Sequence, residues 1–310
     1  MTSRAQIETS NRGEETPRCL LCGGPSRLRA RQRPWVYWQC RDCGSAFLWP
    51  QPKPEELAAF YESFHLPCDR GGIIEEFEAR MQVDFPAKAE RVQKGLRSWG
   101  PPGSEARDVL DLGCGKGLFV KELMSCGLNA EGIDVSATAV EAGRAAHGAV
   151  SLRVGWLGNQ SDWVARFDAV TSWATIEHVR DPQGLLRAVK RALKPGGLFF
   201  FDTGLVGDFV DRHAPGLVQW FDAPQHLFVF SWRGLERLLA DCGFSVLDHD
   251  LNYERTRRRR LVKTIRNRSL ALAGKLLFRF ALGSETFERM KMETKMPFGS
   301  LVSVVARARD

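Results

Sequence analysis

No apolar run in this chain of 310 residues reaches the roughly 18 needed to cross a bilayer, and the N-terminus carries no signal-peptide core. A soluble, cytoplasmic protein is therefore expected. No internal repeat is apparent, which sets solenoids and propellers aside. Neither charge sign is scarce: 44 Lys and Arg stand against 37 Asp and Glu, a net +7 that permits anionic partners without requiring them. The eight cysteines lack the distribution of a disulfide framework. Four form two C-x-x-C pairs, while Cys68, Cys114, Cys126 and Cys242 are dispersed and read as free thiols. With 44% apolar and 26% charged residues the chain is globular, and its length suits one large domain with an appendage or two smaller ones.

The stretch around which the rest is organised is Asp108-Val-Leu-Asp-Leu-Gly-Cys-Gly-Lys-Gly-Leu-Phe-Val120. Val109, Leu110 and Leu112 read as a buried strand, Gly113, Gly115 and Gly117 as a tight turn that lets a ligand approach the backbone, and Leu118 as the first residue of a helix. A second strand, Asn129 to Val135, carries Asp134 about 20 positions on, the offset at which a carboxylate meets ribose hydroxyls. Dinucleotide-binding dehydrogenases and methyltransferases share this grammar. The dinucleotide pattern wants a third glycine three positions after the second; here that position is Leu118, and Asp111 would repel a pyrophosphate.

The segment resembles motif I of the class I S-adenosylmethionine-dependent methyltransferases. The stretches Phe167 to Pro182 and Leu193-Lys-Pro-Gly-Gly-Leu198 resemble two further signatures of that family, in the right order. The likeness covers residues 105–310. It implies a Rossmann-like α/β fold: a seven-stranded, mostly parallel sheet with helices on both faces, its last strand antiparallel. Strands are expected near 108–112, 129–134, 151–154, 167–172, 197–202, 244–250 and 299–307, most of them separated by helix-length segments.

Ahead of this domain, residues 1–18 read as a mobile polar tail and 19–49 as a small zinc ribbon. Cys19 and Cys22 with Cys40 and Cys43 have the spacing of a tetrahedral four-thiolate Zn2+ site, and Gly23 and Gly44 follow the second cysteine of each pair. The ribbon extends the resemblance towards a bacterial subgroup that joins such a module to the methyltransferase fold. Its arginines (Arg27, Arg29, Arg31, Arg33) and aromatics (Trp35, Tyr37, Trp38) suit either a substrate or nucleic-acid clamp or the exposed side of a metal-stapled mini-domain. Residues 50–104 read as a helical linker and cap, with a helix over Glu55 to Tyr61 and helical spacing of Ile74, Phe77, Met81 and Phe85.

Within the catalytic domain, the resemblance places Gly113, Gly115 and Gly117 against the cofactor, Asp111 near its amino or methionine end, and Asp134 with the neighbouring Val135 at its ribose. Trp156, after the third strand, either stacks on the adenine or belongs to the core; Trp173, at the end of the fourth, lies against the methionine portion or forms a wall. His178 and His226 are the candidate bases, with Asp222 a candidate orienter of His226, and the loop 203–230 is where substrate choice is expected. An insertion at 252–297 holds a basic run from Arg255 to Arg268 and then an apolar helical face. It reads as a lid or, over 255–280, as a contact for anionic membrane. The expected activity is methyl transfer from S-adenosylmethionine, most readily to oxygen, on a small-molecule, lipid-linked or sugar-linked acceptor in bacterial biosynthesis. An RNA methyltransferase using ribbon and insertion as clamps is the alternative, although no Asn-Pro-Pro-Tyr-like tetrapeptide follows the fourth strand. A non-enzymatic membrane- or nucleic-acid-binding protein with a vestigial fold is the third reading.

Overall fold

A computed structural model describes residues 16–65, 82–102, 107–148, 150–207, 211, 218, 220–251 and 300–309. The tail up to residue 15, Cys68, Ile74, Phe77 and Met81, much of the 203–230 loop and the insertion 252–297 with its membrane-contact segment 255–280 lie outside the described residues. Among the described residues no helix is long and apolar enough to cross a membrane.

Three short strands come first: β1 (Ser26–Gln32), β2 (Trp35–Cys40) and β3 (Ala46–Leu48), followed by helices α1 (Pro54–His65) and α2 (Phe85–Trp99). The alternating region then runs β4 (Asp108–Leu112), α3 (Leu118–Ser125), β5 (Asn129–Asp134), α4 (Ala137–His147), β6 (Ser151–Val154), β7 (Phe167–Trp173), α5 (Pro182–Ala192) and β8 (Leu193–Val206). It ends with β9 (Phe228–Ser231), α6 (Trp232–Asp241), β10 (Phe244–Leu251) and β11 (Ser300–Ala308).

The seven expected strands are β4 to β8, β10 and β11. β4 pairs in parallel with β5 and β7, β5 with β6, and β7 with β8, whereas β11 runs antiparallel to both β8 and β10. Period-two alternation divides the buried residues between the two faces. Leu110, Val170, Phe199 and Phe201 pack with α5 and α6, through Leu185, Leu186, Leu235 and Leu239. Val109, Ala169, Leu198 and Phe200 pack with α2, α3 and α4, through Val92, Leu96, Phe119 and Val140. Local signals set the helix starts. Asp181 caps α5 through Gly184 N–H (2.8 Å) with Pro182 in its first turn, and Ser136 caps α4 through Ala139 N–H (3.2 Å).

One feature was not expected from the sequence. The ribbon does not stand apart: β2 pairs β3, β3 pairs β9 antiparallel, and β9 pairs β8 in parallel, so one eleven-stranded sheet runs from ribbon to catalytic core. Leu205 of β8 pairs with Phe230 of β9 and with Ser300 of β11, which requires β9 and β11 on opposite edges of β8. β9 thus takes the edge that β7 leaves vacant after Trp173 pairs with Asp202. That position is beyond the carboxyl end of a central strand, where ligands bind in such sheets.

Candidate active site and four-cysteine cluster

The nucleoside side is built where β4 meets α3. Gly113, Gly115 and Gly117 have φ of +78°, +51° and +76°, the left-handed region that side chains disfavour. Gly113 and Cys114 donate their N–H groups to the Ile133 carbonyl (2.9 and 3.2 Å), locking the turn against β5. Asp134 is fixed by two backbone donors, Gly115 N–H on Oδ2 and Ser136 N–H on Oδ1, each at 2.8 Å. Each oxygen keeps a further lone pair for a hydroxyl donor. A Cβ at Gly115 would meet nothing within 4 Å, whereas one at Gly117 would stand 2.7 Å from Leu152. Gly115 therefore faces open space beside Asp134, and Gly117 is needed for packing. Val135, next in the chain after Asp134, is 52% exposed.

Asp111 is buried directly behind the turn and accepts a bond from Thr171 Oγ1 (2.7 Å). Burial pushes its carboxyl up to about 7. Trp173 is buried at the end of β7, edge-on to Phe119 (5.4 Å between centroids), with Lys88 Nζ 4.4 Å from the centre of its ring. Trp156 is half-buried and packs against the core cluster, its indole lying over Gly158. This packing is compatible with either of its two readings, core contact or a stacking surface for the adenine.

Lys88 and Asp202 were missed by the sequence reading. Lys88 on α2 pairs with Asp202 of β8 at 2.9 Å, and Asp202 Oδ1 also accepts Ala174 N–H at 2.7 Å. Ala174 holds a φ of +48°, a conformation costing a non-glycine residue of order 1 kcal/mol or more and common at ligand sites. A lysine on a polar helix gives no sign in the sequence of the carboxylate it will meet.

The second half of the site forms where the turn Ile176–His178 meets the segment leading into β9. His178 and His226 come together with ring centroids 4.8 Å apart at 73°. His178 Nδ1 lies 3.0 Å from the Gln225 carbonyl and His226 Nδ1 2.8 Å from the Trp220 carbonyl. A carbonyl can only accept, so each ring carries its proton on Nδ1 and presents Nε2 as a lone-pair acceptor. Burial, reinforced by His226, lowers His178 to about 3, and burial lowers His226 as well. Both rings are thus neutral at physiological pH.

Glu177, adjacent to His178, is the third polar group. It is buried, accepts from Thr203 Oγ1 (3.0 Å), and is pushed up to about 8 by burial, with the charge of Asp202 adding to the effect. Ligand-capable atoms of Glu177, His178 and His226 lie within 4.8 Å of one another. Asp222 is corrected as the orienter of His226: its side chain is bonded by Gln225 Nε2, and the Trp220 carbonyl holds the ring. Tyr61, from α1, sets its ring edge-on to His178 (6.2 Å), close enough to feel the charges of Glu177 and Asp134. The buried Tyr61 hydroxyl and the indole N–H groups of Trp173 and Trp220 have no hydrogen-bond partner among the described residues.

In the ribbon, the four sulfurs of Cys19, Cys22, Cys40 and Cys43 lie within 4.8 Å of one another, all as free thiols. Cys19 and Cys43 are 3.8 Å apart and Cys22 and Cys40 3.5 Å. A tetrahedron with metal–sulfur bonds of about 2.3 Å has edges near 3.8 Å, so the cluster fits one ion. Backbone N–H groups of Leu21 and Asp42 point at Cys19 and Cys40 sulfurs (3.4 and 3.3 Å), and Gly23 and Gly44 have φ of +72° and +82° as the knuckles require.

The sequence family described as "Methyltransferase domain" matches residues 81–249, more than half of the chain. The chain belongs to that methyltransferase family. Two proteins named ubiquinone biosynthesis O-methyltransferase are similar to it. The one from Idiomarina loihiensis is 35% identical over 48% of this chain and 60% of its own length; the one from Alkalilimnicola ehrlichii is 36% identical over 33% and 43%. The chain thus spans about half the length of the curated relatives it matches. A solved structure of a SAM-dependent methyltransferase from Leishmania major shares the fold, at 13% identity and a TM-score of 0.52, with 82% of this chain and 85% of that one covered.

Proposed function

We propose that this chain transfers the methyl group of S-adenosylmethionine to an oxygen atom of a small-molecule, lipid-linked or sugar-linked acceptor. The observation that carries the reading is the histidine pair: two neutral imidazoles, each with Nδ1–H committed to a carbonyl and Nε2 left to accept a proton, beside the strand ends of a methyltransferase fold. The named role of the relatives, O-methylation in ubiquinone biosynthesis, supports oxygen as the atom methylated.

The residues present fit the cofactor. Gly115 opens onto free space, and Asp134, fixed by two backbone donors, keeps lone pairs for the ribose hydroxyls. Asp111 would face the cofactor's amino group, and a cationic neighbour would draw its raised pKa back down and restore the carboxylate. When bound, the cofactor supplies an electrophilic methyl group on a sulfonium. His178 or His226 would receive at Nε2 the proton that the acceptor hydroxyl loses as its oxygen bonds the methyl carbon. A weak base suffices, because the hydroxyl becomes strongly acidic as that bond forms. The four-cysteine cluster would hold Zn2+, the ion that a closed tetrahedral thiolate set suits.

The test is transfer of isotopically labelled methyl to a panel of hydroxyl, amine and thiol small molecules and to RNA. Oxygen methylation that falls about 10²- to 10⁴-fold in His178→Ala and His226→Ala would support the assignment. Labelled RNA with a steep salt dependence, or transfer indifferent to both histidines, would overturn it.

A further inference from the structure

We propose that the four-cysteine ribbon is a positioning element of the acceptor side, holding the His226 segment in place through Tyr37 and Gln32. The inference rests on the reading of His178 and His226 as the acceptor site.

Three sets of contacts from the ribbon, roughly 180 to 190 residues away in sequence, converge on the segment from Trp220 to Ser231. The first is at His226 itself. Tyr37, buried on β2, donates its hydroxyl to the His226 carbonyl at 2.6 Å and sets its ring edge-on to Phe221, 5.0 Å between centroids. The second lies at the start of the segment. Gln32, at the end of β1, donates through Nε2 to the Phe221 carbonyl and accepts Ala223 N–H on Oε1 at 3.0 Å, so one side chain reads both polarities of the loop backbone.

The third set reaches the metal cluster. Ser231 Oγ accepts Gly234 N–H at 2.9 Å, capping α6, while it donates to the carbonyl of the ligand Cys43. Ser45 Oγ accepts Ser231 N–H at 3.0 Å. Between these ends, Ala46 and Phe47 pair with Val229 and Phe228, and Leu48 N–H reaches the Leu227 carbonyl at 2.8 Å.

The segment so held supplies both imidazole anchors. The Trp220 carbonyl fixes His226 and the Gln225 carbonyl fixes His178. The nucleoside side has no such dependence: the bonds that fix Asp134 come from Gly115 and Ser136, within the β4–β5 region. Disturbing the ribbon should therefore loosen the histidine pair and leave nucleoside binding in place. Among the ribbon's arginines and aromatics, Tyr37 faces inward as a strut and Arg29 pairs with Asp211.

The experiment uses the full metal-loaded chain and its Tyr37→Phe variant, which loses one O–H donor and keeps the ring. Backbone hydrogen exchange over 220–231 should rise about tenfold, the shift expected when a buried carbonyl loses its donor. Ring-nitrogen NMR should show His226 departing from the Nδ1–H tautomer. Zinc should stay at one per chain, and calorimetric affinity for S-adenosylhomocysteine should change less than about twofold. A second sample, the parent chain stripped of metal by a chelator, should show the same loosening with nucleoside binding retained. Unchanged exchange and an unchanged His226 tautomer in Tyr37→Phe would overturn the proposal. So would loss of nucleoside binding on metal removal, since the ribbon would then support the whole fold. Methyl transfer indifferent to His178→Ala and His226→Ala would count against the acceptor-site reading alone, because exchange and tautomer report the strut without reference to turnover.

Discussion

On the side proposed for the nucleoside, the glycine turn and Asp134 lie within one short stretch of chain, and the bonds that fix Asp134 come from that turn and from the residue two positions beyond Asp134. On the acceptor side, His178 is anchored by Gln225, Glu177 by Thr203, and the His226 segment by Tyr37 and Gln32 from the far end of the chain. The first half is built locally, from backbone N–H groups and one carboxylate, and is the part proposed to bind the nucleoside. The second is assembled from strands that meet only once the sheet has formed. A cofactor common to many acceptors can be held by a local motif, whereas acceptor choice sits on elements that differ in how they reach the sheet edge.

The sharpest way to break this contrast is to remove one member of the four-cysteine cluster proposed to hold the metal. Cys40→Ser should abolish metal retention, since a ribbon of this size folds on its metal, and should strip hydrogen-exchange protection from 220–231 while nucleoside binding persists. Metal analysis and exchange on one preparation check both. Next in size is Asp134→Ala. It removes a carboxylate that anchors the turn and is assigned to the ribose, and each charged hydrogen bond is worth roughly 1.5–3 kcal/mol. S-adenosylhomocysteine affinity should fall roughly 10- to 100-fold, with metal content unchanged.

Gly117→Ala tests the packing side of the same turn. It places a side chain at φ +76° and 2.7 Å from Leu152, which should cost about 1–3 kcal/mol and lower the melting temperature by several degrees. The smallest expected effect separates the halves by pH. Glu177 moves from an ordinary 4.5 to about 8 in the folded chain. Between those values the unfolded chain has released the proton that the folded chain retains, so this group lowers stability as pH rises from 4.5 towards 8. Glu177→Gln keeps an acceptor for Thr203 and removes the penalty. Its melting temperature should gain on the parent by a few degrees between pH 5 and pH 8.

How much could be read from the sequence follows the same division. The strand, turn and helix around Gly113 to Gly117, the acid at Asp134 and the four cysteines all announce themselves by spacing, because their geometry is local. His178 and His226 could be named singly from their place after strand ends, but nothing in the sequence said that their rings would meet. Trp220, whose carbonyl holds His226, was hidden because that role uses its backbone, which has no residue signature. Lys88 and Asp202 form a pair across separate elements, and the ribbon's entry into the main sheet through β3 and β9 depends on a pairing between residues about 180 apart, outside the reach of any periodicity. Trp156, which the sequence left between adenine contact and core, packs partly on the core and against Gly158.

If one fold carries a nucleoside site fixed by Asp134 and a separate acceptor site fixed by the histidine pair, each can be lost without the other. The most direct test is calorimetric titration of S-adenosylhomocysteine into the metal-loaded parent, Asp134→Ala, and the His178→Ala/His226→Ala double variant, alongside methyl transfer by the same preparations. The account predicts binding by the parent, strongly weakened binding by Asp134→Ala, and parent-like binding with lost transfer in the double variant. Equal binding by parent and Asp134→Ala, or loss of nucleoside binding in the histidine variant, would contradict it.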